Sequence, residues 1–172
     1  VDVGDAPTVV RFPKGQVGAD ISAIERFEDG VEVLSRGGAP DVLILPIGPM
    51  ASMALEVAER LRAEGIGVTV VDPRWAIPVQ PSVVRLAAEH RIVITIEDGI
   101  RVGGVGTRVR QVLRDAGVDT AVDELGVPDE FIQHATREQI LIDAGLTVDK
   151  ITEDIIEQVR GTRIPIARPA SA

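Results

Sequence analysis

Between residues 41 and 128 the chain alternates short apolar runs with amphipathic stretches, and few folds accept that order. DVLILPIG (41–48) reads as a buried strand and MASMALEVAERLRAEG (50–65) as an amphipathic helix. Met50, Ala54, Val57, Ala58 and Leu61 recur at helical spacing, and Gly65 sits where a helix stops. The pattern then repeats. IGVTVVDP (66–73) is a second strand, and QPSVVRLAAEHR (80–91) is a helix with Pro81 in its first turn. IVITIED (92–98) is a third strand, GTRVRQVLRDAG (106–117) a third helix, and DTAVDELGVP (119–128) a fourth strand with its exit turn. Two further helices follow, TREQILIDAG (136–145) and TVDKITEDIIEQVR (147–160), with Thr136 and Thr147 as their N-caps. Strands alternating with helices make β-α-β units. The expected class is α/β, a three-layer sandwich whose mainly parallel sheet is covered on both faces.

Composition agrees with that class and narrows the function. The 172 residues are enough for one domain with a real core, and aromatics at 2% leave that core to Val, Ile, Leu and Ala. The formal net charge of -9 argues against nucleic acid or an anionic membrane as main partner, since phosphate neutralisation needs a basic face. There are no cysteines, so disulfides, thiolate metal sites and a cysteine nucleophile are excluded. His90 and His134 lack metal-ligand spacing. No apolar run reaches the roughly 18 residues of a membrane span, and no secretory signal pattern opens the chain. A cytoplasmic protein is the expectation.

Upstream of the alternation the pattern is weaker. Val9 to Phe12 reads as a short strand closed by Pro13 and Gly15, residues 16–30 as a linker, and Val31 to Ser35 as an edge strand turned by Arg36-Gly37-Gly38. The first residue is Val1 and the opening strand has little before it to pair with, so the chain reads as a piece of something longer.

The most chemical-looking stretch is EDGIRVGGVGTRV (97–109), a strand end passing through glycines into a helix. A dinucleotide fingerprint needs G-x-G-x-x-G, but after Gly104 and Gly106 the third glycine falls on Val109. No G-K-[ST] occurs either. The spacing favours close backbone packing by Gly103, Gly104 and Gly106 at a domain or subunit contact over phosphate binding. Glu97 and Asp98 stand at a strand end where open α/β sheets bind ligands, yet two solvated carboxylates, one capping the next turn, is the simpler reading. Arg74 suits an interdomain or intersubunit ion pair, Trp75 an interface, and His134 an exposed loop. Arg11 and Lys14 flank a strand exit and can position a phosphate there. The last helix, with Glu153, Asp154 and Glu157, shows a solvated acidic face. No nucleophile with its base, no metal cluster and no complete phosphate loop emerges, so no catalytic, cofactor-binding or metal residue is assigned.

Several segments taken together resemble the 1-deoxy-D-xylulose-5-phosphate synthase family of transketolase-like enzymes. PTVVRFPKG (7–15) resembles its V-R-Y-P-[RK]-G segment, and VTVVDPRWAIP (68–78) its V-x-D-x-R-[FW]-x-x-P strand. ITIEDGIRVGGVGTRV (94–109) and LGVPDEFIQHATREQILIDAGLT (125–147) resemble its E-[ED]-G…G-G-x-G element and its P-D-x-[FY]-I-x-H segment. The glycine element alone is shared with transketolases and with 2-oxo acid dehydrogenase β subunits. The family's K-P-L-D is IPVQ here (77–80) and its G-T-M is GPM (48–50).

The resemblance implies a homodimeric enzyme using thiamine diphosphate and Mg²⁺, both held by domains absent from this chain. It implies pyruvate and glyceraldehyde 3-phosphate as substrates, in a route feeding isoprenoid, thiamine and pyridoxal synthesis. It also implies an organisation. Residues 1–15 would close the pyrimidine-binding central domain, 16–38 would be linker and edge segment, 39–161 the transketolase-type C-terminal domain, and 162–172 a flexible tail. Lys14 would contact the substrate phosphate, with Arg11 beside it, and the chain alone would be inactive. The alternatives are the C-terminal domain of a 2-oxo acid dehydrogenase β subunit or a transketolase, or a non-catalytic dimerisation module.

Overall fold

A computed structural model describes Pro7, Val9 and residues 18–161. The expectations for Arg11, Lys14, the opening strand and the tail lie outside these residues. Among the described residues six strands form one sheet: β1 (Glu25–Arg26), β2 (Glu32–Gly37), β3 (Val42–Pro46), β4 (Val68–Asp72), β5 (Ile92–Ile100) and β6 (Ala121–Val127). Their spatial order is β1-β2-β4-β3-β5-β6. The last four are mutually parallel, while β1 and β2 join antiparallel at the β4 edge.

Five α-helices cover the sheet: α1 (Ala51–Ala63), α2 (Pro81–Glu89), α3 (Val105–Asp115), α4 (Arg137–Asp143) and α5 (Val148–Val159). The two-residue period of the strands sorts the core into two layers. Val42, Ile44, Val68, Val70, Ile94 and Ile96 meet α1, α4 and α5, through Val57, Leu61, Leu141, Ile151 and Ile155. Leu43, Leu45, Val71 and Val93 meet α2 and α3 on the other face, through Val83, Leu86, Val109 and Leu113. The α/β three-layer class is borne out. α1 and α3 end two residues before Gly65 and Gly117, and α2 opens on Pro81. Thr136 and Thr147 cap α4 and α5, their hydroxyls accepting the N–H groups of Gln139 and Lys150 at 3.2 and 3.3 Å.

The sheet extends upstream of residue 39. Within the expected linker, β1 pairs with β2, and Val31 and Val33 are fully buried against α2. Arg36 and Gly37 belong to β2 rather than to a turn, and only Gly38 takes a positive φ. Asp29, in the β1–β2 turn, ties this hairpin to α2. Its carboxylate accepts the N–H groups of Ser82 at 2.8 Å and Val31 at 3.4 Å.

Burial is the largest single influence on the Asp29 carboxyl and disfavours its charge. The hydrogen bonds from Ser82 and Val31, with Arg85 nearby, together outweigh it and hold the pKa below the ordinary 3.8. A depressed folded pKa means stability that is present above the unfolded value and lost as pH falls through the folded one. Thermal melts of the parent chain should therefore lose midpoint as pH drops below about 4, and Asp29→Asn should lose less over the same window. Identical acid profiles would refute the tie.

The acidic face expected on α5 is also revised. Asp154 is buried, and the Lys150 ammonium lies 2.9 Å from its carboxylate. That hydrogen bond is the chief reason the lysine pKa is raised.

Candidate functional site

In a parallel α/β sheet the strand carboxyl ends, and above all the point where strand order reverses, are where ligands bind. Here the order reverses between β3 and β5. The chain fills that point with its own groups. The Ile47 N–H donates to the Ile96 carbonyl at 2.8 Å, bridging the exits of the two strands. Arg137, the first residue of α4, donates to Asp98 from Nε at 3.2 Å and Nη2 at 2.9 Å, and its Nη2 lies 3.7 Å from Met50 Sδ.

Glu97 is the centre of this arrangement. It is buried, and its two carboxylate oxygens accept the N–H groups of Val105 at 3.2 Å and Gly106 at 3.0 Å. Those are the first N–H groups of α3, the ones that a bound phosphate would use. A carboxylate of the protein occupies the anion position, its charge stabilised by the helix dipole. The solvated reading of Glu97 is thus corrected, while its capping role holds. The strand also runs past Asp98 to Ile100.

The glycines explain how the helix comes so close. A Cβ on Gly104 would sit 2.4 Å from Glu97 Oε1 and 2.5 Å from the Ile100 carbonyl. One on Gly106 would sit 2.3 Å from Thr95 Oγ1 and 2.9 Å from Glu124 Cγ. Gly104 and Gly106 serve close packing, which in the described residues is packing of α3 onto its own sheet; Gly103 does not, since a Cβ there would meet nothing within 4 Å and its φ is +73°. Thr95 is fully buried, and its hydroxyl has no hydrogen-bond partner among the described residues.

Beyond β4 the chain enters a loop with unusual backbone. Arg74 has a φ of 60°, which a non-glycine residue adopts only when its surroundings enforce it, and the Ile77–Pro78 peptide is cis. The Arg74 N–H donates to Asp72 Oδ1 at 2.7 Å, and its Nη1 lies 3.6 Å from both Glu32 Oε2 and Asp72 Oδ2. The ion pair anticipated across a domain or subunit boundary is therefore made within the sheet. Glu32, not singled out from the sequence, is buried on β2, and its other oxygen pairs with Arg26. The only sequence signal for it was an acid between two valines in a strand.

The rim made by the carboxyl ends of β4, β5 and β6 and the loops that leave them exposes large apolar side chains. Trp75, Ile77 and Phe131 are 64%, 65% and 98% exposed, joined by Ile100, Val102 and Ile132. Trp75 thus stands out from its own domain, as an interface residue does. His134 is exposed in the loop before α4. Among the described residues no group of three or more acidic or histidine side chains can hold a metal ion, and no helix is long and apolar enough to cross a membrane.

A mixed sheet with this strand order, helices on both faces and a self-capped glycine corner has the architecture of a transketolase-type domain. The chain belongs to that family: residues 30–151 match the transketolase C-terminal domain. Over 98% of its length it is similar to 1-deoxy-D-xylulose-5-phosphate synthases, 66% identical to that of Leifsonia xyli subsp. xyli and 61% identical to that of Clavibacter sepedonicus. It spans 26% of the length of either. The resemblance drawn from the motifs is borne out. Among solved structures, a split-gene transketolase described as an inactive β4 tetramer superposes with a TM-score of 0.71 at 31% identity, over 84% of this chain and 48% of that one. A transketolase from Campylobacter jejuni, 15% identical with a TM-score of 0.56, shares the fold over 79% of this chain and 20% of its own.

Proposed function

We propose that this chain is the C-terminal part of a thiamine-diphosphate-dependent synthase that condenses pyruvate with glyceraldehyde 3-phosphate, giving 1-deoxy-D-xylulose 5-phosphate and CO₂. The observation that carries this reading is the 66% identity, across 98% of the chain, to a relative bearing that name. The relatives named above are synthases, not 2-oxo acid dehydrogenase subunits.

In this reading the chain supplies no catalytic group. At the glycine corner its described residues do not fit the cofactor: Glu97 already fills the start of α3, and a carboxylate there repels a second anion. Thiamine diphosphate and Mg²⁺ belong to the upstream domains, and the cofactor supplies the ylid nucleophile and electron sink when bound. The chain contributes architecture and a surface for assembly. The apolar rim packs against the rest of the same polypeptide, of which this chain spans about a quarter in its relatives. The assembly is a cytoplasmic homodimer, and the β4 association of the split transketolase supports contact between copies.

Turnover tests the reading. A polypeptide joining this chain to its upstream domains, given the cofactor and Mg²⁺, should release CO₂ from pyruvate only when glyceraldehyde 3-phosphate is present, and the chain alone should not. Activity with lipoyl acceptors in place of the aldehyde would sink it.

Lys14 and Arg11 are the residues of this chain proposed to touch substrate, Lys14 as a point charge on the aldehyde's phosphate. Lys14→Ala in the active polypeptide should raise the KM for glyceraldehyde 3-phosphate by about tenfold or more, the worth of a charge-assisted hydrogen bond. The KM for pyruvate should hold. Equal changes in both constants would remove Lys14 from the phosphate site.

A further inference from the structure

The loop 73–80 carries two of the most exposed apolar side chains of the rim, yet Arg74 within it holds a φ of 60°, which costs a non-glycine residue energy to maintain. Something must hold it. Arg74 makes one hydrogen bond to its near neighbour Asp72, and the side chain that reaches it from another strand is Glu32.

Three observations meet at this residue. First, Glu32 and Asp72 are direct register partners across β2 and β4, so two carboxylates stand side by side at the strand end that launches the loop. Like charges so placed repel unless a cation lies between them. The Arg74 guanidinium is that cation, with Nη1 3.6 Å from an oxygen of each. Second, the Glu32 side chain is 7% exposed, whereas Arg74 and Arg26 are mostly in solvent. A buried carboxylate is a poor way to gain stability, since an apolar residue of similar volume does as well or better. Third, β2 is an antiparallel addition to the parallel sheet, so Glu32 approaches the β4 exit from a strand that does not itself feed the rim.

We infer that Glu32 is a positioning residue: through Arg74 it fixes the loop 73–80 against the sheet edge, so that Trp75 and Ile77 are presented in one orientation before any partner arrives. Side chains ordered in advance lose less entropy at docking, which raises affinity without adding contacts. Glu32 is thus a determinant of the contact between this domain and the rest of its polypeptide. The inference rests on the proposed role of the rim, but the loop can be tested without it.

Trp75 is the only tryptophan in the chain, one residue from Arg74, and it reports on the loop directly. The measurement is time-resolved anisotropy of its fluorescence in this 172-residue chain. Glu32→Gln keeps the shape and removes the charge. Slow-tumbling amplitude should be lost to a fast nanosecond component, the signature of a freed loop, with far-UV circular dichroism unchanged. Arg74→Gln should do the same, and the double variant no more than either alone, because both remove one interaction. Glu32→Asp should restore part of the slow amplitude. Arg26→Gln removes the other partner of Glu32 and should leave Trp75 as it is.

An unchanged anisotropy in Glu32→Gln would overturn the inference. So would an equal loss in Arg26→Gln, which would make Glu32 a member of the hairpin pair only. Should Glu32→Gln fail to fold, Arg74→Gln decides alone, since that side chain is half in solvent. A positive result here with an inactive full-length polypeptide would leave the loop assignment standing while the synthase reading fell.

Discussion

Glu97→Ala should lower the unfolding free energy of the chain by about 3 kcal/mol, read as a lower urea midpoint at neutral pH with an unchanged slope. The carboxylate is buried and takes both of its bonds from N–H groups in the first turn of α3. Alanine leaves those donors without their partner in a largely buried corner. Hydrogen bonds to a charged acceptor are worth about 1.5–3 kcal/mol each, and the void adds to the loss. Glu97→Gln should cost less than alanine, since its one carbonyl oxygen still accepts while its amide nitrogen faces a donor. Small anions give a second readout. Formate or phosphate should stabilise Glu97→Ala and not the parent, because the emptied helix start is then a free anion site. A variant within about 0.5 kcal/mol of the parent, the range of an ordinary surface substitution, would show that the carboxylate does not hold this corner.

The α/β units were legible because their signal is periodic and local. Strands β3, β4 and β5 open on runs of apolar residues, and the helices between them declare themselves through apolar stripes. β2 was legible as an edge strand over Val31 to Ser35, but β1 and its pairing with β2 were not. β1 has two residues, both charged, and nothing in its sequence names a partner. An edge strand was expected at Val31 and Val33, and the structure adds that both are fully buried in the core.

Charged side chains were the harder case. A sequence shows that Glu97 is a carboxylate at a strand end, but not that two N–H groups eight and nine residues later will point at it. The same limit made Asp154 look solvated and placed the partners of Arg74 in another domain. For Glu97 and Asp154 the misreading came from assuming that charge faces water, where the fold had supplied fixed donors or an opposite charge instead; for Arg74 a partner was expected, but not one within its own sheet. The substrate-side expectations differ in kind. Lys14 and Arg11 came from a motif rather than from packing, and they wait on kinetics.

The glycine corner gives the other large effect. Gly106→Ala should cost about 2–3 kcal/mol and Gly104→Ala about as much, both measured by denaturant unfolding. The methyl group added at position 106 would need the space of Thr95 Oγ1 and of Glu124 Cγ, and Thr95 is fully buried in the central β5. At position 104 one obstacle is the Ile100 carbonyl, which is backbone and cannot rotate away, and the other is the capping oxygen of Glu97. In both variants α3 must lift from the sheet, which also lengthens the bonds that Glu97 accepts. Gly103 is the control within the same loop. It has a φ of +73°, and a methyl group there would meet nothing within 4 Å, so Gly103→Ala should cost only the roughly 1 kcal/mol of a strained backbone. A phosphate-cradling loop would order these effects differently: all three variants would be mild in stability and would differ in affinity for a nucleotide. Packing demands that the two crowded positions fail and the open one survive. If Gly106→Ala melted with the parent while calorimetry detected ATP or NAD on the parent chain, the corner would be a ligand site after all.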